Sequence, residues 1–184
     1  LSVPPLYLIM FRETQERRLI AMIVPTAFLS VILAYADFSF VNANREWVDQ
    51  TVVPLQQQGF RVWSGAESGL RFYLEQRGAA PLTTKDTTPA PSDLIVRHSG
   101  FPFRYSLSDQ LEPLLVTLKT FTLENRFPIR TFNGVARAGM HDSNLGLAPF
   151  TLSRAPFDRI EISEVCPLPG AVYGPKGPIF KQTQ

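Results

Sequence analysis

Residues 19–36 read LIAMIVPTAFLSVILAYA, eighteen positions without a charge, and no other stretch constrains the fold so strongly. An α-helix rises about 1.5 Å per residue, so the run spans roughly 27 Å, close to the hydrocarbon thickness of a bilayer. Pro25 would break a helix in water, whereas inside a membrane it is tolerated as a kink. The run therefore reads as a transmembrane helix. Two alternatives stay open on the residues alone. A secretory signal peptide also has a basic start and an apolar middle, and Ala34-Tyr35-Ala36 has the small-x-small form of a cleavage site. A buried helix of a soluble domain is the other. The length of the run, and the apolar segment lying ahead of its arginines, favour the span.

The flanks orient it. Arg12, Arg17 and Arg18 precede the run, while Asp37 follows it and no Lys or Arg comes before Arg45. The positive-inside rule then makes residues 12–18 a cytoplasmic loop and residues 37–165 extracytoplasmic, or periplasmic, with the chain in the cell (inner) membrane. Residues 1–11 (LSVPPLYLIMF) are also uncharged and read as the end of a preceding membrane helix, so the expectation is the C-terminal fragment of a polytopic protein.

Charge and soft ligands narrow the chemistry. The 18 Lys+Arg nearly balance the 16 Asp+Glu, which argues against the concentrated basic surface of a nucleic-acid binder. One cysteine, Cys166, forms no disulfide within the chain, and with only His98 and His141 beside it a Cys/His zinc site lacks ligands. No metal site is expected.

Beyond Asp37 the pattern is mixed. Residues 44–58 carry Trp47, Val48, Val52 and Leu55 at helical spacing, with Asn44 as cap, Gly59 as stop and Pro54 as a bend. Residues 60–63 read as a short strand. Ser64-Gly65-Ala66-Glu67 fits a capping box opening a helix to about Arg77, with Ala66, Leu70, Tyr73 and Leu74 toward a core. Residues 93–97 (DLIVR) read as a buried strand, which completes a strand-helix-strand unit in parallel crossover. Residues 113–124 and 158–165 are further strands, the latter with one wet face, and residues 166–184 are a Pro/Gly-rich irregular tail. The expected fold class is α/β: one transmembrane helix, then a small domain with a mixed sheet.

Motifs for chemistry are sparse. There is no G-x-G-x-x-G, no phosphate-binding G-x-x-x-x-G-K-[ST] and no G-x-S-x-G elbow to support a triad from Ser99 or Ser143. Glu67 and Arg71 share a helix face with Tyr73 nearby; they suit a polar ligand, and equally a cap and an ion pair. His141, Asp142 and Asn144 lie in a Gly-bounded loop (GMHDSNLG) that suits either a polar ligand or a surface turn. Arg97 and His98 follow the central strand, on the usual ligand side of an open parallel sheet, and Arg126, Arg130 and Arg137 add a surface for anions or solvated loop charges.

The runs SGAESGLRFYLEQRGA (64–79), PSDLIVR (91–97), FPIRTFNGVARAGMHDSNLGLAPF (127–150) and SRAPFDRIEISEV (153–165), in that order behind a membrane helix, resemble the C-terminal end of bacterial membrane glycosyltransferases of the GT-C superfamily, related to the family 39 dolichyl-phosphate-mannose-protein mannosyltransferases. The chain departs from that pattern at Ser68, where an aromatic residue is usual, and at Met140-His141-Asp142, which replaces a more aromatic turn. The resemblance implies a polytopic enzyme moving a sugar from a polyprenyl-phosphate donor to an extracytoplasmic acceptor, with membrane lipid, the donor and the rest of the parent protein as partners. It places the catalytic carboxylate in an upstream outer loop, so no catalytic residue and no cofactor is assigned to this chain, and a divalent cation, where one is used, falls to that upstream part. Residues 37–165 would then be a lid or acceptor-recognition module. A membrane-anchored binding or scaffolding module without catalysis is the alternative.

Overall fold

The computed structural model describes residues 16–82, 89–99, 111–124, 127–140 and 145–166. Its first element is a long helix, α1 (Glu16–Trp47), which passes through a π turn (Val48–Val52) directly into α2 (Val53–Gln57). The expected break between a span and a separate helix at Asn44 is absent. Residues 37–43 contain neither Gly nor Pro, so nothing stops the helix, and Asn44 sits inside it, buried, donating from Nδ2 to the Phe40 carbonyl at 3.3 Å instead of capping. Pro54 has no N–H to give to a carbonyl one turn back. The chain absorbs this with the wider π turn just before it, in which the Val53 N–H reaches the Val48 carbonyl.

The two halves of α1 meet different surroundings. From Ile20 to Tyr35 the side chains stand exposed almost all round, Phe28 and Val31 each at 68%. Thr26 and Ser30 turn their hydroxyls onto the Met22 and Thr26 carbonyls at 2.8 and 2.9 Å, the internal satisfaction that a helix in an apolar medium requires. From Ala36 onward a single stripe is buried, comprising Ala36, Phe40, Asn44, Trp47, Val48, Val52 and Leu55, at spacings of three and four. α1 thus runs without a linker into the core of the domain.

Against that stripe packs a five-stranded mixed sheet in the order β2-β1-β3-β9-β4, made of β1 (Val62–Ser64), β2 (Ala80–Pro81), β3 (Leu94–His98), β4 (Leu115–Leu123) and β9 (Asp158–Val165). β2 and β3 both run parallel to β1, while β9 runs antiparallel to β3 and to β4. Helix α3 (Ser68–Gln76) connects β1 to β2, and Ala66, Leu70 and Leu74 bury beside Val62, Leu94 and Val96 as expected, with Tyr73 at the margin. The capping box does not form. Ser64 and Gly65 remain extended because the sheet claims their backbone: the Gly65 N–H donates to the Val96 carbonyl at 2.9 Å and the Ser64 carbonyl accepts from Leu82 at 3.1 Å. The helix starts only after Glu67, whose side chain makes no capping bond.

β9 also corrects an expectation. Its one wet face is largely covered, because it lies between β3 and β4 with the main core on one side and a smaller cluster of Trp63, Leu82, Ile95, Leu111 and Val165 on the other. Cys166, expected in the tail, is buried, and its N–H donates to the Leu114 carbonyl at 2.7 Å. The rest of the expected tail, 167–184, lies outside the described residues, as do residues 1–15 with the expected preceding helix end.

Between β4 and β9 the chain makes a small lobe from two short ribbons, β5 (Ile129–Arg130) with β8 (Thr151–Leu152) and β6 (Phe132–Asn133) with β7 (Ala138–Gly139). The lobe climbs α1. Phe127 stacks edge-on against Tyr35 at 5.0 Å, Thr131 donates its hydroxyl to Asp37, and Phe132 and Phe157 pack on Phe40 at 5.5 and 5.7 Å. Arg130 locks it from within: its guanidinium lies over the Phe157 ring at 4.3 Å and donates to the Ala155, Ile129 and Phe127 carbonyls.

Candidate functional site

The carboxyl ends of parallel strands are where an open sheet usually meets a ligand. Here that position is filled by the protein's own polar groups. His98, at the end of β3, points to the main-core side, where Nδ1 lies 2.5 Å from Oδ2 of Asp158 and Nε2 lies 3.1 Å from the Glu67 carbonyl just ahead of α3. Both neighbours are acceptors, so the doubly protonated imidazolium is the form that satisfies both nitrogens. Burial, the largest single influence, opposes that charge, but the bond to Asp158, its negative charge and the Glu67 carbonyl outweigh it, and the His98 pKa is raised above its ordinary value.

Arg97 points to the other face of the sheet. It is buried, with Nη1 3.0 and 3.1 Å from the two oxygens of Glu112 and Nε 3.3 Å from Glu161, which also accepts from the Thr117 hydroxyl. At the opposite end of the strand, Asp93 accepts from Trp63 Nε1 at 2.7 Å and from the Ala90 N–H at 2.9 Å, pinning β1 to the entry of β3. Glu164, at that same end, has its pKa raised by burial, partly offset by a bond from Ser92.

The residues singled out in the sequence therefore do not converge. Glu67 enters the His98 cluster through its carbonyl, and its side chain is exposed. Arg71 pairs with Glu75 at 2.7 Å, one turn on, and not with Glu67. Tyr73 packs beside the core and against Phe72. Arg97 is held by two glutamates. His141, Asp142 and Asn144, with Ser143 and Arg126, lie outside the described residues. Of the arginines proposed as an anion surface, Arg130 is instead an internal structural group whose pKa burial draws down, and Arg137 is exposed on a turn with φ of 54°. Sequence reading missed Asp158 and Glu161 as partners because their positions beside β3 depend on strand pairing across about sixty residues of chain, and Glu112 because it comes from the turn that leads into β4.

Among the described residues no group of three or more His, Cys, Asp or Glu side chains is placed to hold a metal ion. The chain was compared with family models, curated proteins and solved structures, and none of them matches. The structure defines a mixed α/β domain built onto one long apolar helix, of a length and composition able to cross a membrane.

Proposed function

We propose that this chain is a membrane-anchored extracytoplasmic module, and that it serves a polyprenyl-phosphate-dependent glycosyltransferase of the GT-C kind as lid or acceptor-recognition domain. The observation that carries the anchoring is the unbroken helix from Glu16 to Gln57, apolar and exposed in its first part and buried in the domain core in its second. A signal peptide is disfavoured by the same feature. Cleavage after Ala36 would fall within a regular helix turn and remove a residue that is 1% exposed against the domain. The absence of a linker supports the lid or recognition role. A domain fixed at the end of a membrane helix stands at constant height and orientation over the interface where a lipid-linked sugar presents its phosphate, and proximity of that kind is a direct contribution to transfer. Sidedness follows from the arginines before the run.

Two measurements test this. Gln76, at the end of α3, is exposed and Cys166 is buried, so a Gln76→Cys variant offers a single reactive thiol. A membrane-impermeant maleimide added to intact spheroplasts should label it, and labelling only after lysis would reverse the orientation. Membranes from cells producing the protein without residues 37–184 should lose transfer from polyprenyl-phosphate sugar or change acceptor choice. Full activity with unchanged acceptors would remove the enzymatic role and leave a tethered binding module.

A further inference from the structure

We propose that the small lobe, in its described residues 127–140 and 145–157, is seated in the lipid interface, so that the domain touches the membrane at a second place beside α1. The inference rests on reading residues 19–36 as a membrane span.

Height comes from α1 itself. The apolar run ends at Ala36, so Tyr35 marks the hydrocarbon boundary, the level at which aromatic side chains gather in membrane proteins. Phe127 stacks on Tyr35, Thr131 bonds Asp37, and Phe132 reaches Phe40. The lobe thus rises along α1 by five residues, about 7.5 Å, and its lowest described part is at the boundary.

That lowest part is apolar and exposed at Tyr35, Met140 and Leu152, with Phe127 and Ile129 partly so. Arg130 turns inward to Phe157, so by strand alternation its neighbour Ile129 turns away, together with the cross-strand partner Leu152, which is 77% exposed. Met140, whose N–H donates to the Thr131 carbonyl at the Asp37 level, is 44% exposed. Tyr35, Phe127, Ile129, Leu152 and Met140 thus form an apolar margin continuous with the exposed part of α1. The charge pattern matches a lipid surface. From Phe127 to Phe157 the sequence carries Arg130, Arg137 and Arg154 against one acid, Asp142, which lies outside the described residues, and the exposed charges among the described residues are Arg137 and Arg154, the latter two residues beyond Leu152. Apolar side chains at the acyl boundary with arginines among anionic headgroups are the signature of interfacial seating.

The experiment uses the whole chain reconstituted in vesicles of phosphatidylcholine and phosphatidylglycerol. An environment-sensitive fluorophore is attached in turn at Leu152→Cys in the margin, Val31→Cys in the apolar run and Gln76→Cys at the end of α3, next to Arg77, which pairs with Asp49 well beyond Tyr35 along the helix. Lipids spin-labelled near the glycerol should quench the probe at 152 at least about twofold more than the probe at 76, and lipids labelled at the chain end should quench the probe at 31. Quenching at 31 with none above the 76 level at 152 overturns the seating and leaves the span intact. No quenching at either 31 or 152 overturns both. A probe at 152 shielded from aqueous iodide yet untouched by labelled lipid would mean that a second protein copy covers the margin, and that too overturns the proposal.

Discussion

The exposed and buried parts of α1 carry similar apolar side chains and do opposite things with them. Val31 is 68% exposed and Val48 fully buried, seventeen residues apart on the same continuous helix. The difference lies in what surrounds the apolar residues in sequence. Between Leu19 and Ala36 no charged residue marks a water-facing side, whereas after it Arg45, Glu46 and Asp49 define one and leave a stripe for the sheet and lobe to cover. Hydrophobicity alone does not say whether a helix faces lipid or a core; its periodicity does. Because the parts share one helix, the proposed membrane anchoring of the first would set the height of everything packed on the second.

The largest test of that contrast is to truncate one aromatic from each part. Trp47 is buried and stacks edge-on with Phe121 at 5.4 Å, so Trp47→Ala should destabilise the domain by about 3–5 kcal/mol. Phe28→Ala, in the exposed part, should change domain stability by no more than about 0.5 kcal/mol. Denaturant melts of the detergent-solubilised protein, followed by tryptophan fluorescence for Phe28→Ala and by circular dichroism for both, check it. Comparable losses from both would mean that residues 20–35 also pack on protein.

Arg130→Met sharpens the contrast between sheet and lobe. The substitution keeps much of the aliphatic volume over Phe157 but strips the donors from three carbonyls; bonds to a charged donor contribute about 1.5–3 kcal/mol apiece, and relief from burying the guanidinium offsets part of their sum, so a loss of about 2–4 kcal/mol is expected. It should be local. The amides of Met140 and Ser153, which bond Thr131 and Pro128, should exchange faster with deuterium, while those of β3 and β9 keep their protection.

A third effect depends on pH. The His98 pKa in the folded protein lies above its ordinary value of 6.5, so the stabilisation by the His98 and Asp158 pair is complete below pH 6.5 and is lost as the pH rises through the folded value. Stability measured from pH 6 upward should therefore fall in the native chain, and Asp158→Asn should flatten that slope. An equal slope in the variant would assign it to another group.

What the sequence made legible follows from how local each signal is. The apolar run, the stripe through Trp47, Val48, Val52 and Leu55, the inward face of α3 and the strands at 94–98 and 158–165 are all fixed by residues within a few positions of one another. Two features were hidden because a distant partner decided them. The late start of α3 came from β3 and the residue after β2 taking the backbone of Gly65 and Ser64, and the covering of β9 came from the cluster of Trp63, Leu82, Ile95 and Leu111 on its second face. The candidate site suffered most. Arg97 and His98 at a strand end suggested a ligand, and strand pairing supplied Glu161 and Asp158 in its place.

The smallest effect is expected on α3, whose exposed face, unlike that of α1 before Ala36, is largely polar and paired with itself. Arg71 lies 2.7 Å from Glu75 at the i,i+4 spacing, both half-exposed, an arrangement that contributes about 0.3–0.5 kcal/mol in water. Arg71→Ala should lower stability by that amount and no more, and added salt should erase the difference between variant and native chain. A loss several times larger, or one that salt leaves unchanged, would show that Arg71 is held by more than Glu75. An unchanged melt with altered sugar transfer would return it to the ligand surface that its place beside Glu67 suggests. Neither outcome alters the contrast along α1: a polar face in water is stabilised by weak, screened pairs, so removing one costs little, whereas an apolar face needs a continuous partner, which the sheet supplies after Ala36 and which the proposed anchoring supplies before it.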